Sequence, residues 1–373
     1  MTHRNMNGRI TTRSVRIRIT IFATLMLAGV FVHAQDVRVG VLGLFRPHQF
    51  ALSPLPGSAL ILHVGADSVV LEASSGVNIA HISVSGDNVV LAVGPRVLRA
   101  AEVTVTSRAN GPVDFTLAVP GKIARHYRGA LELKPASRVL TAVVTMDLET
   151  AVASVVAAES TVDAPSEALK ALAVAARSYL VAGKGRHRDF DFCDTTHCQF
   201  LRAPPASASA AAQAVSATRG LVITYQSADQ SQPIAAMYTR SCSGRTRTPS
   251  ELGLPPAAYP YYSVECTYCR QHPSRWESRL SAEDAATLRS SNESSRLRLG
   301  RRLGWSAVPS NDFVMRKEGK QTLLRGVGHG HGIGLCQAGA KAMAEAGADF
   351  REILAHYYPN TVIITLGSAA PLR

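Results

Sequence analysis

The hydrophobic pattern changes period near Arg138, and that change restricts the chain to folds joining a strand-rich half to a helix-bearing half. Residues 37–140 carry short runs such as VRVGVLGL, ALILHVG, SVVLEA, NIAHISVSG, NVVLAVG and VTVTS, with Gly, Pro, Asn or Asp in many of the gaps. Runs of this length between turn residues read as strands. After Arg138, VLTAVVTM reads as one more strand and residues 148–158 as a helix. Asp163-Ala-Pro-Ser is a turn opening a second helix, with Pro near its first position and Gly183 at its end. On that helix Leu169, Leu172, Ala173, Ala176 and Leu180 form one buried stripe. Further on, residues 203–217 read as a small helix closed by Gly220, LVITYQ and PIAAMYT as strands, and residues 280–310 as a peripheral helix and loop. GVGHGHGIGLCQAGAKAMAEAG begins as a Gly-rich strand and turns into a helix near Cys336, before a last helix and strand in FREILAHYYPNTVIITL. The expected class is α+β, with a mostly-β N-terminal module over residues 35–135 and a mixed α+β domain over residues 136–366.

Residues 1–34 read as an export signal: five arginines and no acid, an apolar run over residues 19–32, and Val32-His33-Ala34 as a small-residue cleavage site. No later segment reads as transmembrane, so the mature protein is expected in the periplasm, cell envelope or extracellular space without a membrane span. The chain carries 40 basic and 27 acidic residues, and loss of the five signal arginines would leave a charge of +8. That balance suits an anionic partner. Interleaved basic and aromatic runs are absent, which argues against a nucleic-acid partner.

Glu159 is the one acid at the end of an otherwise uncharged apolar run, SVVAAE. A carboxyl leaving an apolar helix is a candidate general acid, because desolvation disfavours its ionised form; the alternative is a solvated helix-end glutamate. Arg177 lies beside the buried stripe of the second helix and needs an anionic partner, for which Glu159 or a substrate is the candidate.

Three constellations carry further chemistry. His187, Cys193, His197 and Cys198 supply four ligands of the right kind for a closed, structural zinc site, with a Cys193–Cys198 disulfide as the alternative. His329 and His331 alternate with glycines, so in a strand both imidazoles share one face; they are a candidate ligand-facing or catalytic metal pair, for which no third ligand is identifiable, or core histidines. Tyr238-Thr-Arg-Ser241-Cys242-Ser243-Gly244 forms a tight polar turn after a strand. Cys242 with Cys266 and Cys269 is a disulfide set or a second metal site, and the odd number favours one disulfide plus a thiol. Cys336, close in sequence to His329 and His331, is a rival candidate nucleophile.

Taken in order, Tyr127-Arg-Gly, VVAAE ending at Glu159, EALKALAVAARSYL from Glu167, Cys193-Asp-Thr-Thr-His-Cys-Gln199, AMYTRSCSG from Ala235, and GVGHGHGIGLCQAGAKAMA through HYYPNT resemble the stage II sporulation protein D (SpoIID) family, which includes the amidase enhancer LytB. The resemblance spans about residues 125–365. Two departures stand out: Ser-Thr-Val follows Glu159 where the family has Met-Pro, and Cys336 stands where Ser is usual.

The resemblance implies a lytic transglycosylase that cuts peptidoglycan glycan strands stripped of stem peptides, leaving 1,6-anhydromuramic ends. Glu159 would be the catalytic acid and base, and Arg177 would position Glu159 or the sugar. Tyr179, Ser241, His329, His331 and Gln337 would line the cleft. A single carboxyl suffices for this chemistry, unlike the paired carboxylates of ordinary glycosidases. The second reading is a non-catalytic wall-binding protein that stimulates a partner cell-wall amidase.

Overall fold

The computed structural model describes residues 36–367 apart from 75, 162, 228, 229 and 289–291; the expected signal segment lies outside these. Eleven strands precede the first long helix. They are β1 (Asp36–Val41), β2 (Gln49–Pro54), β3 (Ala59–Val64), β4 (Asp67–Glu72), β5 (Ala80–Ser85), β6 (Asn88–Val93), β7 (Arg96–Ala100), β8 (Val103–Thr106), β9 (Val113–Val119), β10 (Ile123–Ala136) and β11 (Val139–Asp147). Alternation is the reason they pair: β2, β3 and β6 bury every second side chain, which gives each strand one dry face and one wet face. The paths β11-β10-β9-β2-β5-β6-β7 and β10-β8-β3-β4 share the fourteen-residue β10, so a single long strand organises the curled sheet.

Two helices follow, α1 (Leu148–Glu159) and α2 (Ser166–Ala182). Asp147 caps α1 by accepting from the Glu149 N–H at 3.1 Å, and α2 ends at Gly183. The stripe expected on α2 is buried, and its neighbours Ala171, Val174 and Ala175 are buried as well, so this helix is enclosed nearly all round. The chain continues through β12 (Phe192–Cys193), α3 (Ala210–Ala217), β13 (Leu221–Ser227), β14 (Gln230–Pro233) and β15 (Tyr238–Thr239). Next come α4 (Thr267–Gln271), β16 (Arg275–Ser281), α5 (Ala282–Thr287), α6 (Glu293–Leu303), β17 (Asp312–Glu318) and β18 (Gln321–Val327). The last elements are β19 (Leu335–Cys336), α7 (Gln337–Glu345), α8 (Phe350–Tyr357) and β20 (Thr361–Thr365).

The fold class is α+β with a dominant β component, as expected. The described residues from 36 to 367 belong to one compact unit, and one continuous core runs from Val37 to Tyr358. The division expected at residue 135 falls inside the β10–β11 hairpin, where Pro135 pairs with Leu140. β1 at the start of the described chain pairs antiparallel with β11 and parallel with β12, so it lies between two strands of the later half.

Residues 275–327 do more than the peripheral helix and loop that their polarity suggests. β16, β18 and β17 form a three-stranded sheet that covers α5 and α6 through a small second core of Leu280, Ala285, Leu288, Leu299, Val308 and Leu324. Among the described residues no helix is long and apolar enough to cross a membrane.

Candidate functional site

Glu159 is the last residue of α1, which closes with the Ser160 N–H donating to the Val156 carbonyl at 3.0 Å, and its side chain turns toward the loop after β12. Its Oε1 accepts the Phe200 N–H at 3.2 Å. Burial of the half-exposed carboxyl pushes its pKa from 4.5 up to about 7, and the Phe200 N–H and the Arg240 guanidinium pull in the other direction without cancelling the effect. A glutamate in this state holds a proton near neutral pH and can both give it up and take it back. The solvated helix-end alternative is therefore not what the fold builds.

The cation that acts on Glu159 is Arg240, and Arg177 is elsewhere. Arg177 is completely buried and grips Glu149, its Nε donating to Oε1 at 2.9 Å and its Nη2 to Oε2 at 2.7 Å. It also donates to the carbonyls of Leu221 at 3.1 Å and Val215 at 3.3 Å, which ties α2 to α1, α3 and β13. Glu149 and Glu159 stand at opposite ends of α1, about 15 Å apart at the usual helical rise. The expected role of Arg177 beside Glu159 is thus corrected: it is a buried structural cation.

Arg240 and Tyr238, which the sequence places in the polar turn of the AMYTRSCSG motif without a role of their own, are the residues that meet Glu159. The Tyr238 hydroxyl is buried without a hydrogen-bond partner, and burial together with the nearby Glu159 charge raises its pKa well above the usual phenol value. Ser241 Oγ is likewise buried and unpartnered. Ser241 and His329 exchange main-chain hydrogen bonds at 3.1 and 2.9 Å, and the Ala338 N–H donates to the Arg240 carbonyl at 3.1 Å. Ser241, His329 and the start of α7 at Gln337 are therefore drawn together around Arg240. The His329 Nδ1 lies 3.0 Å from Ser274 Oγ, and burial followed by Arg240 lowers its pKa.

The expected strand over residues 328–334 does not form. Gly328, Gly330, Gly332 and Gly334 all have positive φ, between 70° and 98°, so alternate residues are left-handed and the pleat that would put two imidazoles on one face is lost. His331 accepts the Ile333 N–H at Nδ1 and lies under the influence of Glu293 and Arg296, groups that do not act on His329. The two histidines are not a metal-binding pair. Tyr179 also departs from expectation: it is buried at 5 % exposure, its hydroxyl accepts from Arg186, and that guanidinium stacks 5.2 Å from its ring centroid. It supports the loop that follows α2 instead of facing a ligand.

That loop brings His187, Cys193, His197 and Cys198 together. His187 Nε2 lies 3.2 Å from Cys198 Sγ, the two sulfurs are 3.4 Å apart, and His197 Nδ1 is 3.6–3.7 Å from both. All four donor atoms fall within 4.8 Å of one another, a set that fits a single tetrahedral ion. Asp194, between the ligands, accepts from the Leu42 N–H at 3.1 Å, from Tyr127 Oη at 3.4 Å and from Arg125 at 2.7 Å. The loop is thereby sewn to β1 and β10, and two residues beyond Cys198 it delivers the Phe200 N–H to Glu159.

Cys336 does not sit beside an imidazole. It is fully buried and shares a cluster with Cys242, Cys266 and Cys269. The nucleophile reading is therefore corrected on geometry. A cavity of about 750 Å³ lies at the other end of α1, between Asp147, Glu149, Arg128 and Arg219.

Residues 136–225 match the family model described as Stage II sporulation protein (SpoIID). The chain is 29 % identical over 272 residues to an uncharacterized protein of Brachyspira hyodysenteriae, covering 64 % of this chain and 72 % of that one. It is 25 % identical over 267 residues to a stage II sporulation protein D of Bacillus amyloliquefaciens, covering 58 % of this chain and 74 % of that protein. A shorter likeness, 41 % over 61 residues, links it to an amidase enhancer of Bacillus subtilis, of which it covers 9 %.

Proposed function

We propose that this protein acts on the cell wall as a lytic transglycosylase that cleaves peptide-denuded peptidoglycan glycan strands and leaves 1,6-anhydromuramic ends. The observation that carries this reading is the Glu159 carboxyl, desolvated to a pKa of about 7, with Arg240 as the charged group acting on it. A hydrolase with two working carboxylates would show a second acid facing the first. Here one group serves both halves of the reaction. Protonated Glu159 gives its proton to the glycosidic oxygen as the C1–O bond breaks. The resulting carboxylate, favoured by Arg240 and the Phe200 N–H, then takes the proton from the C6 hydroxyl whose oxygen closes onto C1. No water is consumed. Tyr238 and Ser241 offer two unpartnered buried hydroxyls to the sugar.

In the same reading His187, Cys193, His197 and Cys198 hold zinc, whose contribution is to fix the loop that carries Phe200. No reacting atom meets that ion. The test is to incubate purified protein with peptide-free glycan strands and analyse the products by mass spectrometry. Anhydro ends that vanish with Glu159→Gln are expected, and ordinary reducing ends would overturn the non-hydrolytic mechanism. The likeness to an amidase enhancer favours one other reading, a non-catalytic wall-binding partner of an amidase. Strand binding without any product, together with stimulation of an added amidase, would establish it instead.

A further inference from the structure

Far along the chain from the His/Cys loop, four thiols converge. Cys242 follows β15, Cys266 caps α4, Cys269 lies in α4, and Cys336 caps α7. All four are at 2 % exposure or less, and their sulfurs lie within 4.8 Å of one another. We infer that Cys242, Cys266, Cys269 and Cys336 bind one zinc ion as a closed tetrathiolate, a second structural metal site.

Three observations carry the inference. The first is spacing: a tetrahedral ion with Zn–S bonds of about 2.3 Å holds its sulfurs about 3.8 Å apart. Cys269 and Cys336 are 3.5 Å apart. A multi-iron cluster would have to spread its cysteines around several metal and sulfide atoms, so one ion fits better. The second is that the surroundings suit thiolates. The Cys242 N–H donates to Cys336 Sγ at 3.3 Å, the Tyr357 hydroxyl lies 3.5 Å from Cys266 Sγ, and Cys336 sits at the N-terminus of the nine-residue α7. The third is reserved space. A Cβ at Gly339, on the first turn of α7, would lie 2.6 Å from Cys266 Sγ and 2.0 Å from Tyr357 Oη, so only glycine lets the helix approach the sulfurs this closely.

The site would clamp the segments that meet around Arg240. Cys242 follows Arg240 and Ser241, Cys336 precedes Gln337, and Ser241 is bridged to His329. Cys266 and Cys269 have the two-residue separation common in structural zinc sites. Two disulfides are the competing arrangement, and each would need one sulfur pair to close to about 2.05 Å.

The test uses full-length protein purified without reductant or chelator. Elemental analysis is expected to give two zinc ions per chain, falling to one in Cys269→Ser and to one in His187→Ala. Cobalt-loaded His187→Ala should then show the thiolate charge-transfer bands of a tetrathiolate centre. Wild-type protein unfolded in chelator, alkylated without reduction and mapped should yield alkylated Cys242, Cys266, Cys269 and Cys336. This last measurement decides the matter even if Cys269→Ser does not fold. Any crosslink among the four cysteines, or zinc content unchanged by Cys269→Ser, overturns the site. A single zinc in the wild type, still present in His187→Ala, would support the tetrathiolate and remove zinc from the His187 loop.

Discussion

Glu159→Gln is expected to stabilise the fold at pH 8 and to leave its stability unchanged at pH 4. The folded state raises the carboxyl from 4.5 to about 7, so between these values the folded chain keeps a proton that the unfolded chain has lost. The folded state binds more protons in this window, and stability therefore falls as pH rises through it. A displacement of that size corresponds to about 3 kcal/mol once the pH exceeds 7, an upper value because solvent reaches the half-buried side chain. Glutamine is close to isosteric and still accepts the Phe200 N–H, so the variant escapes this cost above pH 7 and loses nothing below pH 4.5. Urea unfolding of both proteins at a series of pH values from 4 to 8 measures the difference directly. Curves that stay parallel across the series would refute the desolvation argument and with it the assignment of Glu159 as a neutral acid. In the same preparations glycan cleavage should drop by about 10²–10⁴-fold, the usual worth of a general acid–base group.

Arg177→Met should cost about 3–5 kcal/mol of stability, because it leaves Glu149 partly buried without its partner, whereas cleavage per folded molecule should change little; a selective loss of turnover would return Arg177 to the active site. Wild-type activity should decline as pH rises through about 7, and Arg240→Gln should move that decline to higher pH because the guanidinium favours ionised Glu159. A pH–rate profile unaffected by the substitution would remove Arg240 from the site. Chelation should lower the melting temperature first and activity only afterwards, through loss of the Phe200 contact; if turnover stops with melting unchanged, the metal takes part in the chemistry.

The two helices, the isolated glutamate and the four-ligand loop could be read from the sequence because each depends on local period and local spacing. What could not be read depends on pairing across distance. Helical periodicity shows that Arg177 is buried, but not that Glu149, instead of Glu159, is the carboxylate it meets. Alternating His and Gly suggests a pleat, yet four glycines free to take positive φ build an irregular turn, which separates His329 from His331. Cys242, Cys266 and Cys269 look like an odd set until the fold returns Cys336 to them from 67 residues past Cys269. The β-rich first half was legible as strands. Its merger with the later half was not, because the Val39–Val144 and Val39–Phe192 pairings have no local signature.

The parallel pairing of β1 with β12 sets a timetable for folding. During synthesis the chain emerges from its N-terminal end, and β1 appears with neither neighbour yet made. Its first partner, β11, arrives about a hundred residues later, and the Asp194 carboxylate that receives the Leu42 N–H is 152 residues away. Contacts of such separation are slow to form, and an apolar strand kept waiting is open to pairing with the wrong chain. The segment from 136 to 225, taken as a fragment, would lack β1 and all but the last residue of β10, leaving both edges of β11 exposed. Assembly of the glutamate's surroundings is therefore a late event that requires the earliest strand to have remained available.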